Sequence, residues 1–168
     1  WDSRSTAFCS FSNHNKFLKH LDDSTKAVFI VAKHLYLKGF DVRINALKRA
    51  KKHSDWKKYK DDGDLFIFHN EKSYRIEVKG LSCDFTNKND WCFKDFIVCA
   101  KHSFDNANPK PYAYFILNKK RTHCAIVKET TSDNWNIVSR KDNRYENVVQ
   151  KFYTCGLNKI DWIELSEY

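Results

Sequence analysis

The order of elements along the chain predicts an α/β (α+β) domain with one central sheet flanked by helices. Three observations carry this. A single amphipathic helix precedes a series of short runs rich in aromatic and β-branched residues. A helix, then three strands, then further mixed elements is the pattern of such a layered domain. The chain, 168 residues with only four Gly and two Pro, shows no linker, repeat or low-complexity segment, so residues 1–168 read as one domain.

The helix spans 24–38. Ser24 is a suitable N-cap, Ala27, Val28, Val31, Ala32 and Leu35 form an apolar stripe, and Gly39 is placed to end it. Residues 40–44 alternate as a strand. The runs 65–69 and 73–79 flank His69-Asn70-Glu71-Lys72 and read as a β-hairpin. Further strands are expected at 95–100, 111–117, 123–128, 135–138 and 161–165, and a helix at 143–152.

The charge and cysteine content narrow the function classes. Thirty Lys and Arg against 21 Asp and Glu give a formal net charge of +9, which favours a polyanionic partner. The basic residues crowd 46–60, where Lys48, Arg49, Lys51, Lys52, Lys57 and Lys58 are expected to contact phosphates and Trp56 and Tyr59 are available for stacking. An ordinary solvated face is the alternative for that stretch. No run approaches the ~18 apolar residues that span a bilayer, so no membrane partner is expected. Trp1-Asp2-Ser3-Arg4 is polar and leads into no long apolar run, so no signal peptide is expected, and the lack of any Met leaves room for sequence before Trp1. The six cysteines make no CxxC pair, so reduced thiols in a cytoplasmic protein are expected rather than zinc at Cys92, Cys99 and His102. The seven histidines form no ligand pattern, and His34 reads as a structural residue of the helix.

The hairpin permits a geometric argument. A turn centred between Asn70 and Glu71 pairs Phe68 with Ser73, Phe66 with Arg75 and Asp64 with Glu77. Directly paired residues share a face, as do residues two apart on a strand. Asp64, Arg75, Glu77 and Lys79 then lie on one face, and Leu65, Ile67, Tyr74, Ile76 and Val78 on the other. Two opposed carboxylates repel unless a cation lies between them. Mg²⁺ suits the position because it is hard, takes oxygen ligands and leaves sites for water and phosphate. A lysine two residues from one carboxylate adds a point charge that can orient water or stabilise charge on a phosphorus centre. Arg75 on the same face is expected to hold a scissile-strand phosphate, with an ordinary surface arginine as the alternative. Asp84, Asp90 and Asp95 read as turn residues.

Asp62-Gly63-Asp64-Leu65-Phe66-Ile67 followed by Tyr74-Arg75-Ile76-Glu77-Val78-Lys79-Gly80 resembles the core motif of the PD-(D/E)XK nuclease superfamily. The likeness covers about 24–100, with 111–117 as the later core strand, and leaves the tail from Thr130 without a counterpart. It implies a restriction-endonuclease-like core with a central mixed sheet. It implies catalysis by Asp64, Glu77 and Lys79, with Mg²⁺ (Mn²⁺ substituting) held by Asp64, Glu77 and the Val78 carbonyl. The implied reaction is phosphodiester hydrolysis, usually of DNA by an endonuclease, in the setting of restriction, repair, phage or mobile elements. RNA remains open as the substrate, and a homodimer is compatible with the family. The chain departs from the motif in two places. Gly63 stands where the motif has proline, and Val28 stands near the position where many members place a helical glutamate, so one metal is expected. The rival reading is a non-catalytic nucleic-acid-binding module that keeps the nuclease fold.

Overall fold

The computed structural model describes residues 24–45, 63–141 and 148–165. The basic stretch from Lys48 to Lys58 lies outside the described residues. Helix α1 covers 24–37, and Lys38 and Gly39, with φ +87° at Gly39, turn the chain into strand β1 (Asp41–Ile44). Among the described residues there follow β2 (Leu65–His69), β3 (Lys72–Gly80), β4 (Asp95–Ala100), the short helix α2 (Lys101–Asn106), β5 (Ala113–Leu117), β6 (His123–Lys128), β7 (Asn136–Lys141), β8 (Val149–Gly156) and β9 (Asp161–Glu164), with 3-10 turns at Glu129–Asn134 and Leu157–Lys159.

The described strands form two sheets. The larger has the order β1-β2-β3-β5-β6-β9 and the smaller β4-β8-β7. All pairings in both sheets are antiparallel except β3 with β5, which is parallel, so the large sheet is mixed, as expected. The parallel step follows from the connection: a parallel pair needs a long crossover. Here β4 and α2 lie in that crossover.

Alternation sorts the residues of the large sheet onto two cores. Leu65, Ile67, Ile76, Val78, Ala113, Phe115 and Leu117 pack against Ala27, Val28, Val31, Ala32 and Leu35 of α1. The opposite side chains of β5 and β6, Tyr114, Ile116, Ala125 and Val127, pack against Phe96, Val98 and Cys99 of β4 and Cys155 of β8, together with Phe85 and Trp135. The expected layering is therefore modified. One long helix covers one face, and a three-stranded sheet covers part of the other, where a second helical layer was expected. The second core is dominated by rings: Phe96 lies 4.6 Å from Trp91, 5.6 Å from Trp162 and 6.1 Å from Phe85, centroid to centroid. Buried Asn118 closes the β5–β6 turn, donating to the Phe85 carbonyl and accepting from the Thr122 and His123 amides.

The helix expected at 143–152 is corrected. Residues 149–156 form the central strand of the small sheet, paired with β4 on one side and β7 on the other. Strand pairing on both edges satisfies the backbone here, and it places Phe152, Thr154 and Cys155 inward. Residues 142–147 lie outside the described residues.

Candidate functional site

The site grows from the β2–β3 hairpin. Asn70 and Glu71 both have positive φ, +48° and +62°, which is a two-residue turn whose twist matches the flanking strands. That turn fixes the register. His69 pairs with Lys72, Phe68 with Ser73, Phe66 with Arg75 and Leu65 with Ile76, as the sequence argument requires. One step further, the register brings Asp64 opposite Glu77. Since Leu65, Ile76 and Val78 face α1, the side chains of Arg75, Glu77 and Lys79 belong to the other face.

Asp64 ends the ladder with its side chain. Its Oδ2 accepts from the Val78 amide at 2.7 Å, so the carboxylate is bound to the peptide that joins Glu77 to Val78. In a strand the N–H and C=O of one residue point to the same neighbour. The Val78 carbonyl is therefore directed to the side of β3 where Asp64 sits. Asp64 is itself fixed from β1. The Asn45 amide donates to the Asp64 carbonyl at 3.1 Å, and Asn45 Nδ2 donates to the Gly63 carbonyl at 2.8 Å. Asn45 and Gly63 are the stems of the basic stretch, so that stretch leaves and rejoins the described fold beside Asp64.

Arg75 shares the face of Glu77 but is turned inward rather than toward solvent. Its side chain is 8% exposed and that of Glu77 13%. Nε and Nη2 reach Glu77 Oε1 at 2.7 Å and 2.6 Å, and Nη1 lies 3.5 Å from the Pro109 carbonyl. Gly63 makes room for this arrangement. It has φ +94°, and a Cβ there would meet Arg75 Nε at 2.6 Å. Any other residue at 63 would be strained and would displace the guanidinium.

Lys79 reaches across to the small sheet. Its Nζ donates to the Val98 carbonyl at 2.7 Å and lies 5.1 Å from the centre of the Tyr114 ring. Cys99 is next to this group. Burial pushes its thiol above the ordinary range, and the Lys79 charge opposes that only in part. Burial likewise pushes the Tyr114 phenol far up. Both groups stay neutral near pH 7, so neither supplies a thiolate or phenolate nucleophile. Beyond Cys99, Tyr153 donates to Asp105 at 2.9 Å and Lys101 forms an ion pair with Asp105, so that small cluster balances its own charge.

The sequence-derived residues thus divide. Asp64 is bonded to the Val78 amide, Glu77 is held by Arg75, and Lys79 is directed to the Val98 carbonyl of the small sheet. Asp90 holds a turn, accepting from Thr86 and Asn87, as a turn residue should. Asn45, Tyr114, Cys99 and the Val98 carbonyl are additional members of the neighbourhood. No sequence pattern marks them: Tyr114 arrives through the β3–β5 pairing, Asn45 from the end of β1, and Val98 and Cys99 through packing of the small sheet on the large one. Cys99, Cys124 and Cys155 are buried free thiols, and Cys83 and Cys92 are free as well. Among the described residues, no group of three or more His, Cys, Asp or Glu side chains is placed to hold a metal, and no helix is long and apolar enough to cross a membrane. No protein family, curated protein or solved structure matches the chain at a significant level.

Proposed function

We propose that the chain is a metal-dependent nuclease that hydrolyses phosphodiester bonds, with DNA as the first substrate to test. The observation that carries this reading is the seat of Asp64: its carboxylate is bonded to the amide between Glu77 and Val78. That bond fixes one carboxylate against the peptide that carries Glu77, with the Val78 carbonyl directed to the same side, and this supports the reading. The donor set fits a hard divalent cation, because all three atoms are oxygens and two carry charge. Asp64, Glu77 and the Val78 carbonyl would hold it. Mg²⁺ there would polarise a phosphoryl oxygen and acidify a water.

The chain's own residues do the rest. The Val78 amide orients Asp64, and Asn45 fixes the backbone on which Asp64 stands. Arg75 orients Glu77 by converging on a single oxygen, Oε1. Lys79, whose amine is held by the Val98 carbonyl, would stabilise charge developing on the phosphate on being drawn from that carbonyl by substrate.

The PD-(D/E)XK resemblance is part of this proposal, and its two departures have physical accounts. A proline, with φ near −65°, is incompatible with the φ of +94° at Gly63. Val28 is buried in the core between α1 and the sheet, on the face opposite Glu77, so α1 brings no ligand to this side and one metal suffices.

One observation favours the second reading, a nucleic-acid-binding module without catalysis. Arg75 already compensates Glu77, so a carboxylate here does not by itself require a metal. Cleavage decides between the two. Purified protein is incubated with plasmid, linear, single-stranded and branched DNA in Mg²⁺, Mn²⁺ or EDTA. Cleavage that needs the metal and falls about 10²–10⁴-fold in Lys79→Ala, with affinity for DNA retained, is the expected outcome. Undiminished cleavage in EDTA removes the metal site. Binding with no cleavage under any condition leaves the binding module.

A further inference from the structure

The row of β2 side chains that ends at Asp64 contains two phenylalanines. Arg43 pairs with Phe66 and Phe66 with Arg75; Asp41 pairs with Phe68 and Phe68 with Ser73. Phe66, Phe68 and Arg43 therefore share the face of Glu77. The small sheet covers β5 and β6 on this side, and neither phenylalanine belongs to its core. Nor do they belong to the core under α1. Both rings are half-buried, and Arg43 is exposed. The Arg43 guanidinium straddles the two rings, with its central carbon 5.2 Å from the Phe66 centroid and 5.4 Å from that of Phe68.

We infer that Phe66, Phe68 and Arg43 form a platform on which the unpaired bases of a nucleic-acid strand stack, leading that strand to Asp64 and Glu77. Three arguments converge. The first is chemical. Aromatic rings and guanidinium planes are what unpaired bases stack on, and the same guanidinium neutralises a phosphate. The second is spacing. Residues two apart on a strand stand about 6.8 Å apart, twice the 3.4 Å rise of a stacked duplex strand. Bases seated one per ring must be parted from each other, so a duplex does not fit and a single strand does. The third is direction. Phe68, Phe66 and Asp64 follow one another along a single face of β2, and equal steps carry a strand from the rings to the carboxylates. Asp41 and Arg43 both stand on β1, Asp41 beside Phe68 and Arg43 beside Phe66, so phosphates are favoured at the Phe66 end, nearer Asp64.

The inference rests on the nucleic-acid reading above and narrows it to strands with unpaired bases, so its test measures binding apart from cleavage. Fluorescence anisotropy is read in EDTA with a labelled oligo-dT strand and with a duplex of equal length. Phe66→Leu/Phe68→Leu keeps apolar bulk and removes the π-faces, and Phe66→Ala/Phe68→Ala removes both. Circular dichroism and urea unfolding confirm that each variant is folded. Single-strand affinity is expected to fall about tenfold or more in the alanine variant, most of it already lost in the leucine variant, with duplex affinity unchanged. Arg43→Ala should shallow the single-strand salt slope by about 0.7 in log–log units. Equal losses for strand and duplex, or no loss in either, overturn the platform. Ring-dependent binding without metal-dependent cleavage overturns only the nuclease reading. Metal-dependent cleavage with ring-independent binding overturns only the platform. If wild-type protein binds neither oligonucleotide, the platform falls and the cleavage assay alone decides the rest.

Discussion

The two faces of the six-stranded sheet are made by the same strands from opposite chemistry. Toward α1, β3 presents Tyr74, Ile76 and Val78 to a closely packed aliphatic core. Toward the other side it presents Arg75, Glu77 and Lys79, and two of these, Arg75 and Glu77, are nearly as inaccessible as core residues. Apolar burial stabilises wherever it occurs, but a charge taken from water costs several kcal/mol unless partners compensate it. The first face needs only volume and alternation. The second needs a set of named partners: Arg75 for Glu77, the Val78 amide for Asp64, the Val98 carbonyl for Lys79. A sheet that spends burial on charge in this way is specified more tightly there than stability alone requires.

The sharpest way to break the comparison is to remove one member of the buried pair. Arg75→Met takes the guanidinium away from the Glu77 carboxylate, and the urea midpoint should report a loss of about 3 kcal/mol. Arg75→Met/Glu77→Leu, which removes both charges, should recover most of that loss, because an apolar pair of similar volume needs no compensation. If Glu77 is a metal ligand, added Mg²⁺ should also restore stability to the single variant and not to the double. Equal destabilisation in both variants would mean that Arg75 acts through packing alone.

On the aliphatic face the expected effect is smaller. Ile76→Val removes one methylene from a site that is 1% exposed, and about 1 kcal/mol should be lost, with no effect on the metal dependence of stability. A Mg²⁺-dependent difference would show that the two faces are coupled through β3.

The smallest effect concerns the one titratable side chain buried on α1. Burial, aided by the Lys38 charge, depresses the His34 pKa below its ordinary 6.5. The unfolded chain then binds a proton at a higher pH than the folded one. Its contribution is intact above about pH 6.5 and is lost as pH falls below it, toward the depressed folded value. His34→Gln should flatten the stability profile between pH 7 and 5; an unchanged profile assigns the acid sensitivity to other groups.

Much of the hairpin was legible in the sequence because its determinants are local. Asn70 and Glu71 accept the left-handed backbone of a tight turn, and alternation around them can place the aliphatic face in only one register. The inward turn of Arg75 was not legible. It depends on the unusual backbone of Gly63 and on a carbonyl at Pro109, far along the chain. Strand β8 misled for a related reason. Val148, Val149 and Phe152 recur at helical spacing, and only pairing with β4 and β7, non-local in one case, decides for a strand. The small sheet as a layer was equally hidden, since β4 finds its partner more than fifty residues later.

Asn45 joins its own strand to Gly63 and Asp64 with both a main-chain and a side-chain bond, across the two stems of residues 46–62. The stems are therefore held together by the fold itself, whatever lies between them. Asp64 is thus pinned from two neighbours at once, its main chain by Asn45 and its side chain by the Val78 amide, so Asn45→Ala should loosen the seat of the carboxylate and cost about 1 kcal/mol in urea unfolding.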